Sequence, residues 1–452
     1  MTEEEALQLR KENQELREAL KQTQELLRVA LARIEELEKQ KTPPPAFIKA
    51  DVRKPAVEEK KPRKKREAQH NRARRRRLPT QIVEHHLLMC PDCDLRLGGI
   101  SLARSREVID VPPPSSVQIT EHRIFKGWCA GCQKWHEAPV DLHTEVLGQG
   151  RIGVRLASMI AYLRISLRLP LRKIREVVHT LHSFEISLGE IVELLHRIST
   201  HAQPSLDALL SEIRASPAVQ ADETGWREDG LNGYIWSVST PTVRYYEYHH
   251  SRAGEVVNHL IGNDFEGVLG SDFYAGYNIH QGLHQRCWVH FLRDIHDLKK
   301  LHPDHAELWQ WAKQVKQIYE RAKDAPAPDP QLPITKQSAH RMAFQHAFEQ
   351  ELWQVCAPFA HTSAIMHTLC ERVEHFLPEL FVFVAFPGVP SDNNLAERSI
   401  RPLVIARKIS GGTRSPKGSA TRMGLASLFG TWAAQDLNPF HQCLALLTTK
   451  SP

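Results

Sequence analysis

The 452-residue sequence has no apolar run close to the roughly 18 residues that a membrane span requires; the longest, Leu380 to Phe386, is far shorter. It opens Met1-Thr2-Glu3-Glu4-Glu5, without the apolar core of a secretory leader, so export is not expected. Cysteine is sparse. Four of the eight form Cys90-Pro91-Asp92-Cys93 and Cys129-Ala130-Gly131-Cys132, and Cys287, Cys356, Cys370 and Cys443 are scattered. That usage suits metal binding in a reducing cytosol and argues against a disulfide framework. Proline and glycine are missing from residues 6–38, and acid is nearly missing from Lys60 to Arg77, where Glu67 alone faces eleven Lys and Arg. A hydrophobic content of 41% over this length suffices for two or three folded domains. The net charge of +6 is very unevenly placed, which points to a polyanionic partner.

Residues 6–38 carry heptads, with Ala6, Asn13, Leu20, Leu27 and Ile34 at a positions and Leu9, Leu16, Thr23, Ala30 and Leu37 at d positions. In a parallel dimer the g to e′ pairs Glu5 with Arg10, Glu12 with Arg17 and Arg33 with Glu38 are all opposite in sign, and Asn13 favours two strands in register. Residues 1–41 are therefore expected to form a dimerising coiled coil, with a single surface helix as the alternative. Pro43-Pro44-Pro45 stops it, and 42–80 has too little apolar content to fold. The basic block in that linker, including Arg74, Arg75, Arg76 and Arg77, should add salt-sensitive affinity for nucleic acid.

The two Cys-x-x-Cys knuckles fall in a module over 81–145, where Cys90, Cys93, Cys129 and Cys132 are expected to hold one structural Zn²⁺, with His136 as a substitute ligand. Alternation over Ser116–Trp128 predicts a strand that leads back to the first knuckle. Residues 150–212 read as helices. Pro170 starts the second, and Ser187 with Glu190 forms a capping box for the third. Arg172 and Lys173 lie ahead of that third helix, as a helix-turn-helix that enters DNA would have them, although three-helix cores without DNA are also common.

From Pro217 the pattern changes to short strands, at Ala218–Asp222, Gly233–Thr240 and Val243–Tyr248, then a helix over Gly254–Ile261 and a strand at Gly267–Asp272. Asp222 closes the first strand and Asp272 the fourth, an order in which a ribonuclease-H-like sheet sets two carboxylates side by side. The chain then reads as a helical insertion, about 280–388. It ends at Ser391-Asp392-Asn393-Asn394-Leu395-Ala396-Glu397-Arg398-Ser399-Ile400-Arg401-Pro402, where Ser391 or Asp392 should cap a helix, Glu397 and Arg401 share one face, and Pro402 should end or kink it. Trp288 fits a core position or a stacking platform for a base. His280, His284, His296 and His302 are spaced too irregularly for metal and are expected at the surface or on phosphate.

Ala221-Asp222-Glu223-Thr224-Gly225-Trp226, Gly270-Ser271-Asp272, Cys287-Trp288-Val289-His290, and Asp392-Asn393-Asn394 through Arg398 and Arg401-Pro402 to Arg407-Lys408 closely resemble bacterial insertion-sequence transposases of the IS66 family. The order of parts resembles them too. The resemblance implies a multidomain α+β chain: coiled coil, zinc module, helix-turn-helix segment, a ribonuclease-H-like catalytic core over 213–410 that carries the insertion, and a helical tail over 411–452. It implies a catalytic triad of Asp222, Asp272 and Glu397 that holds two Mg²⁺ or Mn²⁺ ions per site, with Asp222 bridging them. Hard cations take oxygen ligands, and a pair about 3.5–4 Å apart neutralises the attacking and leaving oxygens of phosphodiester transfer.

Cys287 and His290 match a Cys-x-x-His element of such insertions, and could equally pack internally. Arg398, Arg401, Arg407 and Lys408 are expected phosphate contacts. The implied function is a DNA transposase of the bacterial cytoplasm and nucleoid, which binds element ends and target as a homodimer or higher oligomer, with companion proteins possible. A silent DNA-binding regulator derived from one is the alternative. If the heptads direct assembly, light scattering will give the intact chain a higher subunit number than a chain starting at Pro43. Equal numbers would remove the coiled coil from that role.

Overall fold

The computed structural model describes residues 78–99 and 101–449, together with Glu18, Leu20, Lys21 and Arg28, which are helical. The rest of the expected coiled coil and the linker as far as Arg77, with Arg74, Arg75 and Arg76, lie outside the described residues. The chain divides into two units, Met1–Asp110 and Val111–Pro452. In the first, an antiparallel bridge between Met89 and Arg96 closes the Cys90–Cys93 loop. The Cys90 N–H donates to Leu95 O at 2.9 Å.

The second unit opens with a hairpin of β1 (Lys126–Cys129) and β2 (Lys134–Glu137), in which Trp128 faces Trp135. The strand expected from Ser116 forms only over this last part. Its earlier apolar residues find no core to bury them, and Ile119 is 84% exposed. Four helices follow: α1 (Val154–Ile165), α2 (Leu171–His182), α3 (Leu188–His201) and α4 (Gln203–Arg214). Ser187 caps α3 by accepting the Glu190 N–H at 3.0 Å.

Then come β3 (Ala218–Glu228), β4 (Leu231–Ser239), β5 (Arg244–His249), α5 (Glu255–Ile261), β6 (Val268–Ser271) and β7 (His284–Arg286). The helical stretch is α6 (Trp288–Leu301), α7 (Ala306–Lys323), α8 (Ile334–Cys356), α9 (His367–Leu380) and α10 (Val382–Ala385). It is followed by α11 (Asn394–Ser410), α12 (Pro416–Ala434) and α13 (Pro439–Thr448). No helix among the described residues is long and apolar enough to cross a membrane.

The sheet is mixed, in the order β5-β4-β3-β6-β7. β3, β4 and β5 are antiparallel neighbours, while β3 with β6 and β6 with β7 are parallel. Three expectations change here. β3 does not stop at Asp222 but runs to Glu228, because Asp229-Gly230, at φ 49° and 82°, makes the left-handed turn that returns the chain into β4. β7 lies inside the stretch read as helical; three polar residues carry no legible alternation, yet all are buried. Pro402 neither ends nor breaks α11, since it and Arg398, whose carbonyl loses its helical partner, are both exposed to water.

Side chains alternate across β3, so its two faces join different cores. Val219 and Ala221 pack with Trp236, Val257, Leu260 and Leu269 against α5. Trp226 on the other face joins Ile235, Tyr246 and Leu403 in a core shared with helices α1 to α3, α12 and α13. The helical segment and the C-terminal tail thus bury their apolar faces together, against the sheet. A separate core built on Trp288, Phe291, Trp311, Val315, Leu352 and Phe381 unites α6 to α10. Trp288 belongs to it, stacked on Tyr319 at 4.7 Å.

Phe429 on α12 is 3% exposed. Phe429→Ala should cost about 3–5 kcal/mol of stability, read as a lower urea midpoint. An unchanged midpoint would mean that the tail is not part of this core.

Candidate active site

The pairing of β3 with β6 runs Ala218↔Val268, Val219↔Leu269, Gln220↔Gly270. Continued two residues beyond the ladder, this register would set Asp222 level with Asp272, which directly follows β6, and the charges of the two act on one another. Both carboxylates would then leave the same face of the sheet. The β6 ladder has ended by that point while β3 continues, so the pair lies in a notch where the strands part. The Asp222 carboxylate accepts the Glu223 N–H at 2.9 Å, and that of Asp272 accepts the Tyr274 N–H at 2.9 Å.

Glu397 comes to the same notch on the first turn of α11. The cap expected from Ser391 or Asp392 is divided. Asp392 Oδ1 accepts the Asn394 N–H at 3.0 Å, and Asn393 occupies the cap position without a side-chain cap bond. The next donors are satisfied from the sheet: Gln220 Oε1 accepts the N–H groups of Leu395 at 3.1 Å and Ala396 at 3.3 Å, and Gln220 Nε2 donates to Asp392 O at 2.7 Å. Asn393 Nδ2 donates to Ala221 O at 2.8 Å. Gln220, two residues before Asp222, therefore fixes the helix that carries Glu397. Sequence reasoning missed it; the signal was one polar residue inside Ala218-Val219-Gln220-Ala221.

Cys287 and His290 bind the same loop from the other side. The Asn393 N–H donates to Cys287 Sγ at 3.2 Å, and the Trp288 N–H to Ser391 O at 2.9 Å. Burial pushes the Cys287 thiol up, so it stays neutral. His290 Nε2 lies 3.6 Å from Glu397 Oε1. Arg286 on β7, fully buried, donates to Asp272 O at 2.9 Å and pairs with Glu379. His284, expected at the surface, is instead buried with its Nε2 2.7 Å from the Ser271 hydroxyl, because β7 is an interior strand of the molecule.

Neighbouring acids are accounted for elsewhere. Glu223 leaves the opposite face of β3, where Arg252 holds it at 2.6 Å and the Tyr277 hydroxyl donates to it. Glu228 accepts from Ser419. Asp222, by contrast, is pushed up to about 8, first by burial, then by the charges of Glu223, Asp272 and Glu397. Glu397 Oε1 is buried with no hydrogen-bond partner among the described residues. An all-oxygen set with excess negative charge and an orphaned acceptor fits a hard divalent cation.

Of the four cysteines expected on zinc, Cys90 and Cys93 belong to the first unit and Cys129 and Cys132 to the second. In the first unit Cys90 is lowered by the Asp92 backbone N–H and then by Cys93. In the second, Cys129 is lowered by the Cys132 backbone N–H and then by its thiol. Cys129, Cys132 and His136 bring their donor atoms within 4.8 Å of one another, with Cys132 Sγ 3.1 Å from His136 Nε2. Of the basic residues, Arg172, Lys173, Arg398, Arg401 and Lys408 are exposed. Arg407 differs: its guanidinium donates to Gly225 O and Thr224 Oγ1 and ties α11 to β3, so part of its donor fork is already engaged.

Without divalent cation, folding holds Asp222 protonated well above the range where the unfolded chain ionises, near pH 4. Between about pH 4 and 8 the folded state binds the extra proton, so stability falls as pH rises through that window. Asp222→Asn removes the penalty, and its advantage in Tm over the parent should widen across the same window. An advantage independent of pH would mean that Asp222 ionises normally.

Residues 149–421 match the sequence profile described as Transposase IS66 family. Two proteins of Sinorhizobium fredii (strain NBRC 101917 / NGR234) are similar along most of the chain. The one designated y4qI is 26% identical over 383 residues, 76% of this chain and 67% of its own. The one designated y4jD is 23% identical over 388 residues, 79% of this chain and 74% of its own. The profile spans more than half of the sequence and contains the whole sheet, Asp222, Asp272 and Glu397: the chain belongs to the IS66 family of transposases.

Proposed function

We propose that the chain is an active DNA transposase, whose ribonuclease-H-like core hydrolyses a phosphodiester at each element end to free a 3′-hydroxyl and then joins that hydroxyl to target DNA. The observation that supports the reading is that Asp222 on β3, Asp272 just after β6 and Glu397 on the first turn of α11 lie close enough for the last two to raise the first. Asp222, Asp272 and Glu397 would hold Mg²⁺ or Mn²⁺, which supplies charge neutralisation at the attacking and leaving oxygens.

The protein's own part is to hold these carboxylates rigid and to present DNA to them. Gln220, Asn393 and Cys287 fix the loop before Glu397, and Arg286 fixes the backbone of Asp272. Arg398 and Arg401, exposed on the helix of Glu397, are placed to take the flanking phosphates, and Arg172 and Lys173 extend a basic surface on α2. Such contacts set register on the duplex and depend on salt. Cys129, Cys132 and His136 supply donors for a structural zinc in the hairpin module. Dimerisation through the N-terminal heptads would bring two ends together.

Asp222→Asn, Asp272→Asn and Glu397→Gln should each lower Mg²⁺-dependent nicking and strand transfer on a labelled end by orders of magnitude, while binding to that end persists. Asp392→Asn keeps the oxygen that accepts the Asn394 N–H and should retain most activity. Full activity in Glu397→Gln with loss in Asp392→Asn would reassign the third carboxylate. Full activity in all three triad variants would end the proposal, and a parent chain that binds ends without cutting them would favour the silent regulator.

A further inference from the structure

Among the described residues, donor atoms converge to within 4.8 Å of one another in the cysteine hairpin and, away from it and from the carboxylate notch, at the outer edge of the sheet. Glu247 and His249 are two apart on β5, the edge strand, and so share a face; His259 reaches them from α5. His249 Nε2 lies 2.7 Å from Glu247 Oε1, and His259 Nε2 lies 3.2 Å from the same oxygen. The three donor atoms all fall within 4.8 Å of one another. The imidazoles meet edge to face, with centroids 5.6 Å apart. Around a tetrahedral zinc with bonds of about 2.0–2.1 Å, neighbouring donors stand about 3.3 Å apart. The His259 to Glu247 spacing already matches that value, and the His249 to Glu247 spacing needs to open by some tenths of an ångström to admit the ion.

The chemistry of the set is as selective as its geometry. Two neutral imidazoles and one carboxylate are borderline ligands of the kind zinc takes, unlike the all-oxygen notch that suits magnesium. His259 is 56% exposed, so the fourth position opens to water and the ion has a path in. Two N–H donors on one carboxylate oxygen would account for the same contacts without metal, and metal content separates the two.

We infer that Glu247, His249 and His259 form a zinc site, distinct from the magnesium notch and from the cysteine module. Its place in the chain suggests its use. β5 ends at His249 and α5 begins at Glu255, so an ion held by both closes the connection between them. That connection carries Arg252, which lies 3.8 Å over the Tyr274 ring and holds Glu223, the residue beside Asp222. Zinc bound here fastens the two ends of the loop that neutralises Glu223.

The test uses the full-length protein, stripped with chelator, dialysed against zinc and then against zinc-free buffer, with bound zinc counted by elemental analysis. His259→Gln and Glu247→Gln are compared with the parent, each checked for an unchanged circular dichroism spectrum. The cysteines and the triad are intact in all three proteins, so their contribution to the count cancels. The parent should retain about one zinc per chain more than either variant, and zinc should raise its Tm further than theirs. Equal zinc in parent and variants would overturn the inference. So would an extra equivalent that survives both substitutions, since the ion would then be bound elsewhere. Neither result depends on DNA chemistry, so this outcome and that of the nicking assay are read separately.

Discussion

Like charges brought together in a half-buried place repel one another, and much of this fold is arranged to hold them there. Asp222 meets burial, Glu223, Asp272 and Glu397 at once, and is raised to about 8 as a result. Only Glu223 receives a cation of its own, from Arg252. Among the described residues no Lys or Arg forms an ion pair with Asp222, Asp272 or Glu397, and Glu397 has only His290 nearby. Burial and the neighbouring carboxylates disfavour the charged form of Asp222. Strain of this kind is retained where the surrounding structure over-determines it.

The over-determination comes mainly from uncharged groups, with Arg286 holding the backbone of Asp272. The parallel register of β3 and β6 runs to Gln220 and Gly270 and leads the chain to Asp222 and Asp272. The third is fixed by the side-chain amide of Gln220, which uses oxygen and nitrogen together to fasten the start of α11 to the strand that bears Asp222. Behind the loop, Cys287 accepts from Asn393 and Trp288 anchors the helical stretch through Tyr319 and Phe381. The helices inserted between β7 and α11 thus have a core of their own and touch the site through few residues. At the far end of α11, Gly412, at φ 144°, lets the chain approach Arg227 O where a Cβ would lie 2.2 Å away, and Thr413 then bonds to Arg227. Through that turn the C-terminal helices are brought back over the sheet.

Where the sequence reading and the structure part, the cause is tertiary in each instance. The strand expected to close at Asp222 runs on because Glu223 to Glu228 pair fully with β4, with Trp226 buried in the core beneath. The three residues of β7 were invisible as a strand because burial there is satisfied by partners, Ser271 for His284 and Glu379 for Arg286, and not by apolar character. Pro402, expected to end or kink its helix, does not end it, and it and Arg398 lie on the exposed side of α11. Arg407, expected on phosphate, also donates to the carbonyl of Gly225, a contact between α11 and β3 that no spacing in the chain announces.

By itself the sequence determined the local matters: the heptads of 6–38, the cysteine pairs, the Ser187 cap, the strand-rich stretch from Pro217, and the motifs that place the chain in its family. These rest on neighbours a few residues apart, where periodicity and capping chemistry act directly. The tertiary structure alone decided which distant residues meet. Gln220 bonds to a helix about 175 positions on, Cys287 to a loop 106 positions on, and Glu247 and His249 meet a histidine on another element. No spacing in the chain encodes such encounters, because they are fixed by strand register and by the packing of whole elements, and each depends on every residue that sets them.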